Sequence, residues 1–243
     1  MKNLLATFAF LLIVFFSVPI PANAVGGIAF DSETENVVGT SVTSLTFSHT
    51  NTGSNLALVV GVAVNSATDV LTGVTYNGVA MTRINATQYS TTAWEYLYAM
   101  VAPTTGANNV VVSLSVANPV WAHAVSYTGV SQTGLPDAQT TNNATTGTSI
   151  TTSITTVANN AWIVTYARNF AASVTAGTNF VLRSTAFPIA IGDTNAAITP
   201  AGATSVTAND GSSGAWTINI LSLAPAPAVS LTSILTSWIT WIF

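Results

Sequence analysis

Between residues 25 and 223 no stretch of the chain carries a convincing apolar repeat of 3.6 residues. Short runs rich in Val, Thr, Ile, Tyr and Trp recur instead, separated by Gly, Asn and Pro. This restricts the body to β-structure, because a helix needs a continuous apolar stripe to pack. The runs fall at 42–49, 56–64, 72–76, 79–84, 92–101, 110–117, 120–128, 148–157, 161–168, 179–184, 187–192, 203–208 and 215–223. Asn77-Gly78, between GVTY and VAMTRI, suits a type I′ hairpin turn, which needs positive φ at both central positions. Asp210-Gly211 reads as a similar turn ahead of the strand led by Trp216. Evenly spaced strands with no helix between them predict an all-β, antiparallel β-sandwich or jelly-roll-like fold.

The runs also repeat weakly. TSLTFSHTNTGSNLALVVGVAV (43–64) parallels TSITTSITTVANNAWIVTYAR (148–168), and VTYNGVAMTRINA (74–86) parallels VTAGTNFVLRSTA (174–186), setting Arg83 against Arg183; the Gly-containing turn and strand from Thr104 onward recur near Gly202, setting Trp121 against Trp216. The expectation is one fused sandwich over 25–223, made of two related halves (about 25–130 and 148–223) with a loop at 129–147 between them.

The ends differ from the body. Lys2, an apolar run from Leu4 to Val18, and Ala22-Asn23-Ala24 make residues 1–24 read as a secretory signal peptide. Residues 224–243 read as a Pro-containing spacer, Ala-Pro-Ala-Pro-Ala, and an uncharged apolar tail. There Leu231, Ile234, Leu235, Trp238 and Ile242 share one helical face, and Trp241 is a second interfacial ring. The tail can pack on the protein's own core, touch a membrane through 229–243, or dock to a partner.

Composition removes several function classes. Only 5% of the residues are charged and four are Lys or Arg, too few for a phosphate-binding surface, so nucleic acid is excluded as a partner. With 49% hydrophobic residues the chain is not a disordered tail, and without cysteine it has neither disulfides nor a thiolate metal site.

Few residues remain that could carry chemistry. His49 and His123 are the only histidines, and no G-x-S-x-G elbow accompanies them. His123 reads as a buried structural histidine and His49 as a solvent-facing strand end. Asp31, Glu33 and Glu35 alternate, so an extended segment points all three to one side. That is either a solvated edge or a calcium site, the one cofactor the sequence raises. Trp94, Tyr96 and Tyr98 line one face of a strand, as a stacking platform for sugar rings if exposed or as core if not, with Glu95 then facing solvent. A glycan-cleaving role for Glu95 is the remotest reading, since no partner carboxylate can be named. Asn85-Ala-Thr and Asn143-Ala-Thr are glycosylation sequons, easily met by chance in so Thr-rich a chain.

The segment VTYNGVAMTRINA, the strand WEYLYAMVAPTTGANNVVVSLS and then WAHAVSYTGVSQTGLPDA resemble a recurrent family of secreted prokaryotic β-sandwich surface proteins of unassigned function. The likeness covers most of residues 43–138 and rests on Tyr76-Asn77-Gly78, Pro103…Gly106 and Tyr127-x-Gly129. It implies an extracellular β-sandwich and carries no catalytic residue. The expected function is therefore an exported, non-enzymatic, cell-surface or extracellular protein for adhesion, assembly or envelope coating. Its partners would be glycan, other copies of itself or envelope components. The alternative is a carbohydrate-binding module.

Overall fold

The strands sort by burial into outer and inner kinds. Ser149–Thr155 alternates strictly between exposed and buried positions, whereas Ala57–Val64, Trp162–Asn169, Ile189–Asp193 and Trp216–Leu223 are buried at every position. A strand buried on both faces must lie in an inner layer with sheets on either side. The computed structural model, which describes residues 27–89 and 91–228, has three sheets, of seven, five and two strands.

The chain forms β1 (Ala29–Asn51), β2 (Ala57–Val64), β3 (Leu71–Tyr76), β4 (Val79–Ala80), β5 (Thr82–Tyr89), β6 (Ala93–Val101) and β7 (Gly106–Thr128). It continues through β8 (Ala138–Ala144), β9 (Ser149–Thr155), β10 (Trp162–Asn169), β11 (Val181–Ala186), β12 (Ile189–Asp193), β13 (Ala203–Asn209) and β14 (Trp216–Leu223). Among the described residues there is no helix, and the strand pairings are antiparallel. The fold is the expected all-β sandwich type.

The first seven strands make one sheet, ordered β4-β3-β7-β2-β6-β5 with β1 on the free side of β7. The strands expected at 110–117 and 120–128 are one continuous strand. β7 pairs with β3 through Val110–Leu114 and with β2 through Val120–Tyr127. β1 follows β7 along its whole length, with register shifts at Val38/Ser41 and Val42/Ser44, opposite Pro119 and Asn118. Proline lacks a ladder donor, and irregular register lets a ribbon bend. The sheet therefore curls into a nearly closed barrel around Leu58, Val60, Val62, Tyr76, Tyr96, Val110 and Val112.

The second half has a five-stranded sheet, β11-β12-β10-β14-β8, and a two-stranded sheet, β13-β9, enclosing Ile150, Ile154, Ile163, Phe180, Val206, Trp216 and Ile218. The 129–147 stretch is only partly a loop, since Ala138–Ala144 pairs with β14 as β8. AQTTNNA has no apolar alternation, so backbone pairing alone makes it a strand. Asn77 and Gly78 have φ of 48° and 76°, as the hairpin turn requires. Asp210-Gly211 instead leads from β13 in one sheet to β14 in another, with Asp210 Oδ1 accepting from the Ser212 amide.

The two halves share one plan. The β1 C-terminal half, β2, β5, β6 and the two halves of β7 take the places that β9, β10, β11, β12, β13 and β14 take in the second half. Val74 on β3 and its repeat partner Val174 are both 1% exposed, each in its own core. A third core joins the halves. It includes Ala57, Val59, Leu97, Ala99, Val125 and Tyr127 from one side, and Trp162, Val164, Tyr166, Ile189, Ile191, Leu221 and Leu223 from the other. At Gly61 the two sheets approach so closely that a Cβ would lie 2.3 Å from the Tyr166 ring.

Candidate functional site

Period-2 alternation puts polar side chains into the joining layer together with the apolar ones. On β6, Glu95 shares a face with Leu97 and Ala99; on β7, His123 shares one with Val125 and Tyr127. From the second half come Arg168 beside Tyr166 on β10, and Thr217 and Asn219 beside Leu221 on β14. The seam between the halves is consequently a buried polar layer set within an apolar one.

Four clusters occupy it. In the first, Arg168 Nη1 donates to Glu95 Oε1 at 3.0 Å and Nη2 donates to Asn65 Oδ1 at 2.7 Å. The guanidinium lies over the rings of Phe170 and Trp121, 4.1 and 5.4 Å from their centroids. Burial pushes the Glu95 carboxyl above the usual carboxylate range, and the Arg168 charge opposes that push. In the second, buried Asp193 accepts from Arg183 Nε at 2.7 Å, Arg183 Nη2 at 2.9 Å, Tyr127 Oη at 2.8 Å and the Asn195 amide at 2.8 Å. Charge-assisted hydrogen bonds of this kind compensate for the loss of water around a buried acid. In the third, His123 sits edge-on to Tyr166, with Nε2 4.0 Å from Glu35 Oε2 and both ring nitrogens without a hydrogen-bond partner. Burial holds its pKa at about 4 against the pull of Glu35, so it is neutral at pH 7. In the fourth, Asn85 Nδ2 donates to the carbonyls of Ile220 and Thr140, and Thr87 Oγ1 donates to Asn219 Oδ1 at 2.7 Å. The Asn85 sequon is thus folded into the seam.

Trp94, Tyr96 and Tyr98 point the other way, into the barrel core. Tyr96 is 0% and Tyr98 4% exposed, and Trp94 is half-buried and stacked on Tyr96 at 6.0 Å. The expectation that Glu95 would then face solvent is corrected: β6 is an inner strand, and its second face is covered by the other half. Tyr98 also borders a shallow recess of about 730 Å³, lined by Asp69, Leu71, Met81, Arg83, Ser113 and Ser115 among others. There Arg83 donates to both Asp69 oxygens at 2.7 and 3.1 Å and to Tyr98 Oη at 3.0 Å, and Tyr96 Oη donates to Asp69 at 2.9 Å.

Asp31, Glu33 and Glu35 do not share a face. A register shift between Phe30 and Ser32 turns Asp31 towards Thr52 and Ser126, away from the side on which Ser184 donates to Glu35. Asp31, Ser32 and Thr34 instead close the barrel, fastening the start of β1 to its end. Thr52 donates to Asp31, Ser32 donates to the Thr50 carbonyl, and Ser32 and Thr34 flank the His49 ring at 3.3 and 3.1 Å. His49 is therefore 1% exposed, not solvent-facing, and burial lowers its pKa to about 4. Among the described residues no group of three His, Asp or Glu is placed to hold a metal ion. Residues 1–24, read from the sequence as a signal peptide, and the tail residues Leu231, Ile234, Leu235, Trp238, Trp241 and Ile242 lie outside the described residues. No described helix is long and apolar enough to cross a membrane.

Arg168 and Asp193 escape sequence reasoning, although a signal exists. After residue 24 the chain has three cations, Arg83, Arg168 and Arg183, and each sits in a strand and pairs with an acid. Alternation alone puts Arg168 on the face of Trp162, Val164 and Tyr166. Compared with protein-family models, curated proteins and solved structures, the chain matches none.

Proposed function

We propose that this is an exported, non-enzymatic β-sandwich protein of the cell surface or extracellular space, acting in adhesion, assembly or envelope coating. One observation carries the reading: Arg168 and Arg183 pair with buried acids in the seam and Arg83 is neutralised by Asp69 beside the recess, while both outermost faces are uncharged and rich in hydroxyls. On β1 the exposed row is Ser44, Thr46, Ser48 and Thr50. On β9 it is Ser149, Thr151, Ser153 and Thr155, with Thr151 bonded to Thr207 at 2.8 Å and Ser153 to Ser205 at 3.0 Å. Such faces suit repeated contact with neutral polymers or with further copies, and few exposed charges oppose close packing. The apparent leader and the likeness to secreted surface proteins point the same way.

The chain has no cysteine, so a single one at Thr151 is a unique reporter. A membrane-impermeant maleimide should label Thr151→Cys on intact cells. Labelling only after lysis would overturn a surface location. A second reading, carbohydrate binding, has the Asp69–Arg83–Tyr98 recess in its favour, because a planar ring beside paired charges suits a sugar. Retention on insoluble polysaccharide that is lost in Arg83→Gln would support it, and equal retention of both proteins would not.

A further inference from the structure

Across the seam, Thr87 on β5 and Asn219 on β14 are 6% and 0% exposed. Thr87 Oγ1 lies 2.7 Å from Asn219 Oδ1, one bond from the carboxamide carbon. Asn219 Nδ2 is shielded from solvent and has no partner, a rare state for a buried amide. Glu95 stands directly opposite Thr87 in the β5–β6 ladder, on the same face, and its Oε2 is also unpartnered. Its partner Arg168 is opposite Thr217, two positions before Asn219 on the seam face of β14. A nucleophile, a carboxamide with a free nitrogen and a carboxyl group thus converge where side-chain motion is restricted.

We infer that Thr87 and Asn219 join in an intramolecular ester. Thr87 Oγ1 bonds to Asn219 Cγ, the Cγ–Nδ2 bond breaks, and ammonia leaves. The Glu95 carboxyl relays the proton: it gives its own to the departing nitrogen, takes the hydroxyl's, and ends unchanged. A hydroxyl and a carboxamide become an ester and ammonia, with no oxidant or cofactor. Holding the groups in contact in a packed layer supplies the orientation such acyl transfer needs. Burial pushes the Glu95 carboxyl towards the acid form this relay starts from. The same packing shields the product from hydrolysis. The bond would tie the two halves together as a disulfide would in a chain with cysteine.

Mass spectrometry of the folded, purified protein tests this, with the N-terminus defined by sequencing. The expected mass is about 17 Da below that of the amino-acid chain, the weight of one ammonia lost in acyl transfer. Peptides containing Thr87 and Asn219 should be recovered joined after chymotrypsin and separate after hydroxylamine. Thr87→Val should have its full mass, and Thr87→Ser should regain the loss. Full mass in the wild-type protein overturns the inference. So does a loss that persists in Thr87→Val, which would mark an asparagine imide elsewhere. Should Thr87→Val not fold, joined or separate recovery of the wild-type peptides decides alone. Glu95→Gln should fold with its full mass; an ester in that variant would remove Glu95 from the step.

Discussion

His49 and His123 are both deprived of water, and for each this outweighs the neighbouring carboxylate, Asp31 or Glu35. Folded, each has a pKa of about 4; unfolded, each titrates near 6.5. Between those values the unfolded chain binds protons that the folded one refuses. Their contribution is therefore whole above pH 6.5 and is lost as pH falls towards 4. Glu95 has the opposite sign: its raised pKa lets the folded state bind a proton more readily above the ordinary carboxylate range, which offsets part of that loss. The urea midpoint should fall steadily from pH 7 to pH 4.5, and His123→Gln should reduce that slope. The arginines allow a second comparison. Arg168 is 4% exposed at the side chain and its partner 0%, whereas Arg83 and Asp69 are both 35% exposed. Arg168→Met leaves an unpaired buried carboxyl and should cost about 3–5 kcal/mol in urea denaturation, against about 1 kcal/mol or less for Arg83→Met.

Elements explain why these residues meet. β2 and β10 correspond in the two halves, and between them Gly61 faces the Tyr166 ring. One side of the seam is hollow where the other is bulky, so the inner sheets interlock. Gly61→Ala should therefore destabilise by about 1–3 kcal/mol through overpacking. A double-mutant cycle with Tyr166→Leu should return a coupling energy of the opposite sign, because the smaller side chain gives the methyl room. The Asn77-Gly78 turn was legible because its local chemistry decides it. β8 was not, because it borrows its order from the ladder of β14. The acidic run was misleading for a related reason: one bulge after Phe30 changes which residues share a side, and no side-chain pattern announces a bulge.

At the scale of the molecule, the joining core makes each half dependent on the other. A chain ending near Gly134 would expose Val59, Leu97, Val125 and Tyr127 together with Glu95 and His123. That fragment should bind a hydrophobic dye and associate, as light scattering would show. The intact protein should unfold in one transition, because neither inner sheet can lose its neighbour cheaply. A dye-silent, monomeric fragment would mean the halves are independent.

The sequence by itself determined the β-class, most strand positions, the hairpin turn, the kinship of the halves and the poverty of charge. Those follow from alternation, turn chemistry and composition, all of which act over a few residues. Only the tertiary structure decided what the inner strands face. Period 2 says that Glu95 opposes Tyr96 across β6, but when both faces are buried no polar side remains to point outward. Placing Glu95 against Arg168 and Thr87 against Asn219 therefore needed the packing of one half on the other, across 73 and 132 residues of chain.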